Sequence, residues 1–178
     1  TSNDTAYGLT KANEVAKSEQ LARFESIYNN FSLNNSRFLD ELAHVCKKEQ
    51  ISLLPYSPIA GGVLSGKYNN AFVDESARYA WYMTNKNKRI QSQAFRFVND
   101  KTLASTARFV EIANKYGMSP VTLAVAWSMN FDFVASTIIG ARKLSQLDES
   151  IKALEVKLSS EILEEIKKVH SEIMYPMG

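Results

Sequence analysis

The chain has 178 residues, 45% of them hydrophobic and 22% charged, with a net charge of +2. That size and composition suit one folded domain with a real core and exclude a disordered or low-complexity chain. The charge is too small to imply nucleic acid or a membrane surface as a partner, and no apolar run approaches the ~18 residues of a membrane span. Cys46 is the only cysteine, so an intrachain disulfide and a thiolate metal cluster are excluded, and a reducing, cytoplasmic setting is expected. The histidines, His44 and His170, lie in amphipathic helical stretches without ligand-spaced partners, so they read as solvent-facing or helix-flank side chains rather than metal ligands.

Thr1-Ser2-Asn3 reads as the tail end of a strand. Because the chain opens on threonine rather than methionine, it is expected to be a piece of something longer. Residues 4–20 have helix-permitting composition. Phe24–Tyr28 alternates large and polar residues and meets Asn29-Asn30, which predicts a short strand closed by turn formers. From Arg37 to Glu49, Leu39, Leu42, Ala43 and Cys46 recur at helical spacing. Ile51–Tyr56 is an apolar run short enough for a buried parallel strand.

Residues 69–100 break the rhythm and read as an irregular loop insertion. Arg78, Lys86, Lys88 and Arg89 there suit a solvated surface or a cover over a bound anion. Leu103, Ala107, Val110 and Ala113 then share a stripe on a helix over Lys101–Tyr116, which Gly117 stops. Ser119-Pro120 starts another helix, with Ser as N-cap and Pro in its first turn, running to about Met129. Phe133–Ile139 is rich in β-branched residues and predicts a second buried strand. Lys143–Leu154 places Leu144, Leu147, Ile151 and Leu154 on one helical face. A last helix from Ser159 carries Glu161 in its first turn and is expected to bury Ile162, Ile166, Val169 and Ile173. Strands that alternate with helices place the fold in the α/β class with parallel strands. Periodicity alone does not choose between a barrel wall and an open sheet.

In such architectures ligands lie beyond the carboxyl ends of the strands. At the first strand end Ser2 and Asn3 offer a hydroxyl and an amide, suited to a carboxamide-like group. Tyr28 stands at the second. At the third, Tyr56 presents a flat face for a planar heterocycle. The small residues Ile59, Ala60 and Gly61 let backbone amides approach phosphate oxygens, and Lys67 adds a point charge. At the fourth, Gly140-Ala141-Arg142 precedes a helix N-terminus, and the Arg142 fork suits a phosphate monoester. Gln146 and Glu149 lie one turn on, able to reach a ribose or an adenine amino group. Each signal alone is weak; their recurrence on successive strand ends points to a phosphate-bearing cofactor.

The run Tyr56-Ser57-Pro58-Ile59-Ala60-Gly61-Gly62-Val63-Leu64-Ser65-Gly66-Lys67-Tyr68 closely resembles the seventh-strand motif of the aldo-keto reductases, in the branch that includes the potassium-channel β subunits. Thr137–Arg142, with Gln146-Leu147-Asp148-Glu149-Ser150, resembles that family's eighth strand and helix. Thr1–Asn3 is similar to the end of its fifth strand and Phe24–Asn29 to its sixth. The resemblance implies a single partial domain over residues 1–178, the C-terminal half of a TIM-type (β/α)8 barrel that binds NADP(H) and reduces carbonyls. By position it gives Ser2 and Asn3 the nicotinamide carboxamide and Tyr56 the nicotinamide ring. Ser57, Pro58, Ile59, Ala60, Gly61 and Lys67 then fall to the pyrophosphate. Gly140, Arg142 and Gln146 fall to the 2′-phosphate, and Glu149 and Ser150 to the adenine. Two positions depart from the pattern: Tyr28 stands where the family usually has Gln on the carboxamide, and Ser150 where it usually has Asn.

The family's catalytic Asp, Tyr, Lys and His come from its first four strands, which this chain does not match, so no catalytic residue is assigned. The expectation is a carbonyl reductase seen only in its cofactor-binding half, with a small-molecule aldehyde or ketone as substrate of the full-length protein. Self-association or docking to a missing N-terminal half is expected from unpaired edges and an uncovered interior. The alternative is a non-catalytic nucleotide-binding or regulatory module like the channel β subunits.

Overall fold

The computed structural model describes residues 1–70 and 73–177. Four segments run parallel and side by side in the order in which the chain makes them. Two form the regular sheet: β1 (Ser26–Asn30) and β2 (Ser52–Tyr56), with Ser26 opposite Ser52 and Asn30 opposite Tyr56. Thr1–Asn3 lies on the outer side of β1, where Tyr28 N donates to the Thr1 carbonyl at 2.9 Å and Asn3 N to the Tyr28 carbonyl at 3.1 Å. The opening residues are therefore strand-paired, as their composition suggests. β1 itself begins and ends two residues later than the predicted Phe24–Tyr28.

The predicted strand Phe133–Ile139 is reduced to a single bridge between Leu53 and Val134. Leu53 N donates to the Phe133 carbonyl at 2.7 Å, and Ala135 N returns a bond to the Leu53 carbonyl at 3.0 Å. The next donor on that side of β2 is Pro55, which has no N–H, so the ladder breaks there. Ile138, rather than the in-register Thr137, then donates to the Pro55 carbonyl at 2.8 Å. The segment follows β2 with one slipped residue.

Eight α-helices occur among the described residues. Those that matter for the site lie against one face of the sheet. α1 (Ala6–Ser18) reaches β1 through Asn13, whose amide donates to the Phe24 carbonyl at 3.2 Å and accepts from Phe24 N at 2.9 Å. α2 (Leu42–Glu49) starts five residues later than the pattern at Arg37 suggests, because a 3-10 turn occupies Arg37–Leu39. α5 (Asp100–Lys115) and α6 (Pro120–Met129) form the back of the core. Phe31 sits at its centre, fully buried, with Phe38, Trp127, Phe131 and Phe133 around it at ring separations of 4.7–6.3 Å. Ile27, Leu53 and Pro55 point into this core, whereas Tyr28, Leu54 and Tyr56 face the other side, which no helix covers as fully.

Several expectations change here. α5 buries Thr102, Ser105, Thr106, Phe109, Ile112 and Ala113 rather than the Leu103–Ala107–Val110 stripe. Polar residues are tolerated in that core because fully buried Asn34 satisfies them: its Oδ1 accepts from Ser105 at 2.7 Å and its Nδ2 donates to Thr106 at 3.0 Å. The stretch 69–100 is not irregular throughout; it holds α3 (Ala80–Thr84) and α4 (Lys88–Phe95). Their short lengths and mixed composition hide the helical period, but Tyr79, Ala94 and Val98 anchor them in the core. Arg78, Lys86, Lys88 and Arg89 are exposed. Ala71 and Phe72, within that stretch, lie outside the described residues.

α7 (Leu144–Lys152) turns its apolar side outward, with Leu144 81% and Ile151 47% exposed, and Leu154 just beyond it 71% exposed. α8 (Ser160–Glu172) buries Ile162, Ile166 and Val169 as expected; Ile173 is only half-buried, since the helix ends before it. His44 is exposed. His170 is instead drawn inward: Nε2 donates to the Leu33 carbonyl at 2.8 Å, the ring meets Phe109 and Trp127, and burial lowers its pKa. Cys46 is buried, and burial raises its thiol pKa to about 11. Among the described residues no helix is long and apolar enough to cross a membrane.

Replacing Asn34 by Ala removes both of these hydrogen bonds, leaving Thr106 without that donor and Ser105 with only its bond to the Thr102 carbonyl at 3.1 Å. The expected loss in urea unfolding is about 2–4 kcal/mol, as for two buried hydrogen bonds broken on one side; a loss below about 1 kcal/mol would show that this network is dispensable.

Candidate functional site

The site lies at the carboxyl ends of the four parallel segments. At one end Ser2, Asn3, Tyr28 and Tyr56 form a connected group. Asn3 has φ 54, a left-handed value uncommon outside glycine. That turn aims its amide across the strand ends, so that Oδ1 accepts from the Tyr56 hydroxyl at 2.8 Å and Nδ2 donates to Ser2 Oγ at 3.1 Å. Ser2 Oγ in turn donates to the Tyr28 carbonyl at 3.1 Å. The Tyr28 and Tyr56 rings lie 4.8 Å apart at 38°. All four face the open side of the sheet.

After Tyr56 the chain turns sharply. Ser57, Ala60, Gly61 and Gly62 have φ of 53, 49, 64 and 96. At two of these glycines another side chain lies where a Cβ would go. A Cβ on Gly61 would lie 2.3 Å from the Tyr79 hydroxyl, and one on Gly62 would lie 2.9 Å from Lys67 Nζ. The Lys67 ammonium thus rests over a bare stretch of backbone. The expectation of an open row of amides is met only in part: Ala60 N donates to the Ser57 carbonyl at 2.8 Å, because the left-handed residues close the turn on itself. Pro58 and Ala60 have buried side chains, and Ile59 is half-buried.

Lys67 and Arg142 are 75 positions apart in sequence, yet Lys67 feels the charge of Arg142. Partial burial is the main cause lowering the Lys67 pKa, Arg142 lowers it further, and Asp74 opposes both. The Arg142 guanidinium donates to the Ser76 carbonyl. Asp74 accepts from Ser76 N at 2.7 Å; its carboxyl pKa is lowered chiefly by the Ser76 hydrogen bonds and also by Lys143 and Lys67. Segment 73–79 therefore bridges the turn after β2 and the loop before α7. Burial pushes the Tyr79 phenol, at the end of that bridge, up to about 12.

The far end is less uniform. Gly140 is exposed with open space where a Cβ would go. Gln146 is exposed, but its Oε1 accepts from Arg142 N at 3.0 Å and Lys143 N at 3.3 Å, capping α7 and fixing the Arg142 backbone. Glu149 is half-buried, and its carbonyl accepts from Thr122 at 2.9 Å. Ser150, expected beside the adenine, is buried on the α6 side of the helix, and its hydroxyl donates back to the Gln146 carbonyl at 3.3 Å.

Asp74, Ser76, Tyr79, Gly62 and Lys143 belong to this site and were not singled out from sequence. Gly62 and Lys143 adjoin assigned residues. Asp74, Ser76 and Tyr79 lie in a stretch with no readable period.

The arrangement suits an elongated ligand with a planar polar group at one end and anionic groups at the other. An anion on Lys67 raises its lowered pKa, so binding takes up protons at alkaline pH. Affinity then falls as pH rises through the Lys67 pKa, below the ordinary 10.5. Pyrophosphate titrations by calorimetry in buffers of different ionisation heat should show this uptake; pH-independent binding would remove Lys67 from the anion's contacts.

The match to a family model, described as the aldo/keto reductase family, extends over residues 2–171. Protein tas of Escherichia coli K12 is 35% identical over 175 residues, covering 98% of this chain and 48% of that protein. A probable voltage-gated potassium channel subunit beta of Arabidopsis thaliana is 33% identical over 67% of this chain and 35% of its own length. L-glyceraldehyde 3-phosphate reductase of Escherichia coli K12 is 26% identical over 67% of this chain and 34% of its own length. The chain spans at most about half the length of these relatives. With nearly its whole length matched, this chain belongs to the aldo/keto reductase family.

Proposed function

We propose that this chain is the C-terminal, cofactor-holding half of a TIM-type (β/α)8 barrel, and that the complete protein uses NADP(H) to reduce an aldehyde or ketone. Membership of the family implies the (β/α)8 barrel, and its members generally bind a nicotinamide cofactor. The observation that carries the reading is that Arg142 is held by the Ser76 carbonyl, in the segment whose Asp74 shares the field of Lys67, with the tyrosine pair at the other strand ends.

The residues fit the cofactor by chemistry. Tyr56 offers a ring face to the nicotinamide, and Asn3 and Ser2 offer an amide and a hydroxyl to its carboxamide. Lys67, over the Gly61-Gly62 turn, takes the pyrophosphate, with Ser57, Pro58, Ile59 and Ala60 shaping the turn. Arg142 takes the 2′-phosphate, its backbone held by Gln146 beside Gly140. Glu149 borders the adenine; Ser150 supports that helix from behind. The bound cofactor supplies hydride for the carbonyl carbon. This chain binds and orients it; the proton donor comes from the half of the barrel outside the chain, and no catalytic residue is assigned here.

The partly covered sheet face of Tyr28, Leu54 and Tyr56 and the exposed Leu144, Ile151 and Leu154 support docking of the preceding half of the same polypeptide. A cleft of about 300 Å³ beside them, lined by Val125, Met129, Val134, Ile139, Ile151 and Leu154, lies at the same edge. A second reading, a regulatory nucleotide-binding module, draws on the Arabidopsis relative, whose name is that of a channel subunit. Cofactor binding by the complete protein without turnover of any aldehyde or ketone would favour it.

In the complete protein, Arg142→Ala should weaken NADPH about ten- to a hundredfold, as for loss of a charge-assisted contact, and leave NADH nearly unchanged. Equal losses for both would remove Arg142 from the 2′-phosphate.

A further inference from the structure

We infer that Tyr28 is a positioning residue for the nicotinamide end: it braces the Tyr56 ring from behind and leaves the other face of Tyr56 for the heterocycle. The inference rests on the dinucleotide reading above and deepens it.

Three features support this role. Tyr28 and Tyr56 are on neighbouring strands two positions out of register, Tyr28 opposite Leu54 and Asn30 opposite Tyr56, so both side chains leave the same side of the sheet. Their rings lie 4.8 Å apart at 38°, within the range of favourable offset aromatic pairs. The Tyr56 hydroxyl is held independently by Asn3 Oδ1 at 2.8 Å. One contact fixes the tip of Tyr56 and the other one of its faces. Together they fix the plane of a ring that stands at the open side of the sheet, where packing alone does not.

The Tyr28 hydroxyl has no such role. Among the described residues it makes no hydrogen bond, and Tyr28 as a whole is 39% exposed. A side chain outside the buried core and paired with Tyr56 is not explained by packing in that core. It is explained by a neighbour whose orientation matters. The backbone of Tyr28 adds to the same end: its carbonyl accepts from both Ser2 Oγ and Asn3 N, which ties the carboxamide-facing pair to the strand that carries the brace.

The test measures dissociation constants in the complete protein for NADPH and for 2′,5′-ADP, which keeps the phosphate end and lacks nicotinamide. Tyr28→Ala should weaken NADPH about three- to tenfold, the range of an aromatic pair, with 2′,5′-ADP unchanged. Tyr28→Phe should match the wild type for both, because the ring does the bracing. Unchanged NADPH binding in Tyr28→Ala overturns the inference. So does an equal loss in Tyr28→Phe, which would give the role to the hydroxyl, or an equal loss of both probes, which would make Tyr28 merely structural. Failure of the wild type to bind either probe would instead remove the dinucleotide reading, and this inference with it.

Discussion

The site depends on parallel backbone pairing between segments that follow one another in the chain. Thr1–Asn3, β1, β2 and the Val134 bridge run the same way, so each delivers its following loop to one edge. Parallel order leaves no choice about this: a carboxyl end beside a carboxyl end gathers every exit loop on one side. Residues as far apart as Asn3, Tyr56 and Arg142 are therefore neighbours by topology before any side-chain contact forms.

The same pairing explains what is uneven. β2 is bonded regularly along its β1 side and interrupted on the other, and Pro55 is the reason. The slip at Ile138 releases the following residues from the sheet before Gly140, so that Arg142 approaches the Lys67 turn from a loop rather than from a strand end. There it meets segment 73–79, whose Ser76 carbonyl and Asp74 carboxylate sit among the cations. Like charges near one another are costly in a half-buried place. Here they are moderated by a carboxylate and a carbonyl from the same segment.

Much of this was legible in the sequence where local chemistry dictates structure. The Ser119-Pro120 start of α6, the Ser159 cap of α8 and the left-handed Gly117 all follow from single residues. The parallel segments followed from short apolar runs, and the loops after them were the place to look for a site. The failures have physical causes. The α5 face was misjudged because Thr102, Ser105 and Thr106 read as polar, and only a distant Asn34 makes them core residues. The helices in 69–100 were missed because five- and eight-residue helices carry too few turns for a period to emerge. The Leu144–Leu154 face was read correctly as apolar, but its exposure depends on what lies beside it in space.

The most direct measurement is a crystal structure of the complete protein grown with NADP(H). The account predicts the nicotinamide ring against Tyr56, the pyrophosphate at Lys67 and the 2′-phosphate at Arg142. A dinucleotide bound away from the carboxyl ends of β1 and β2, touching neither Lys67 nor Arg142, would contradict it.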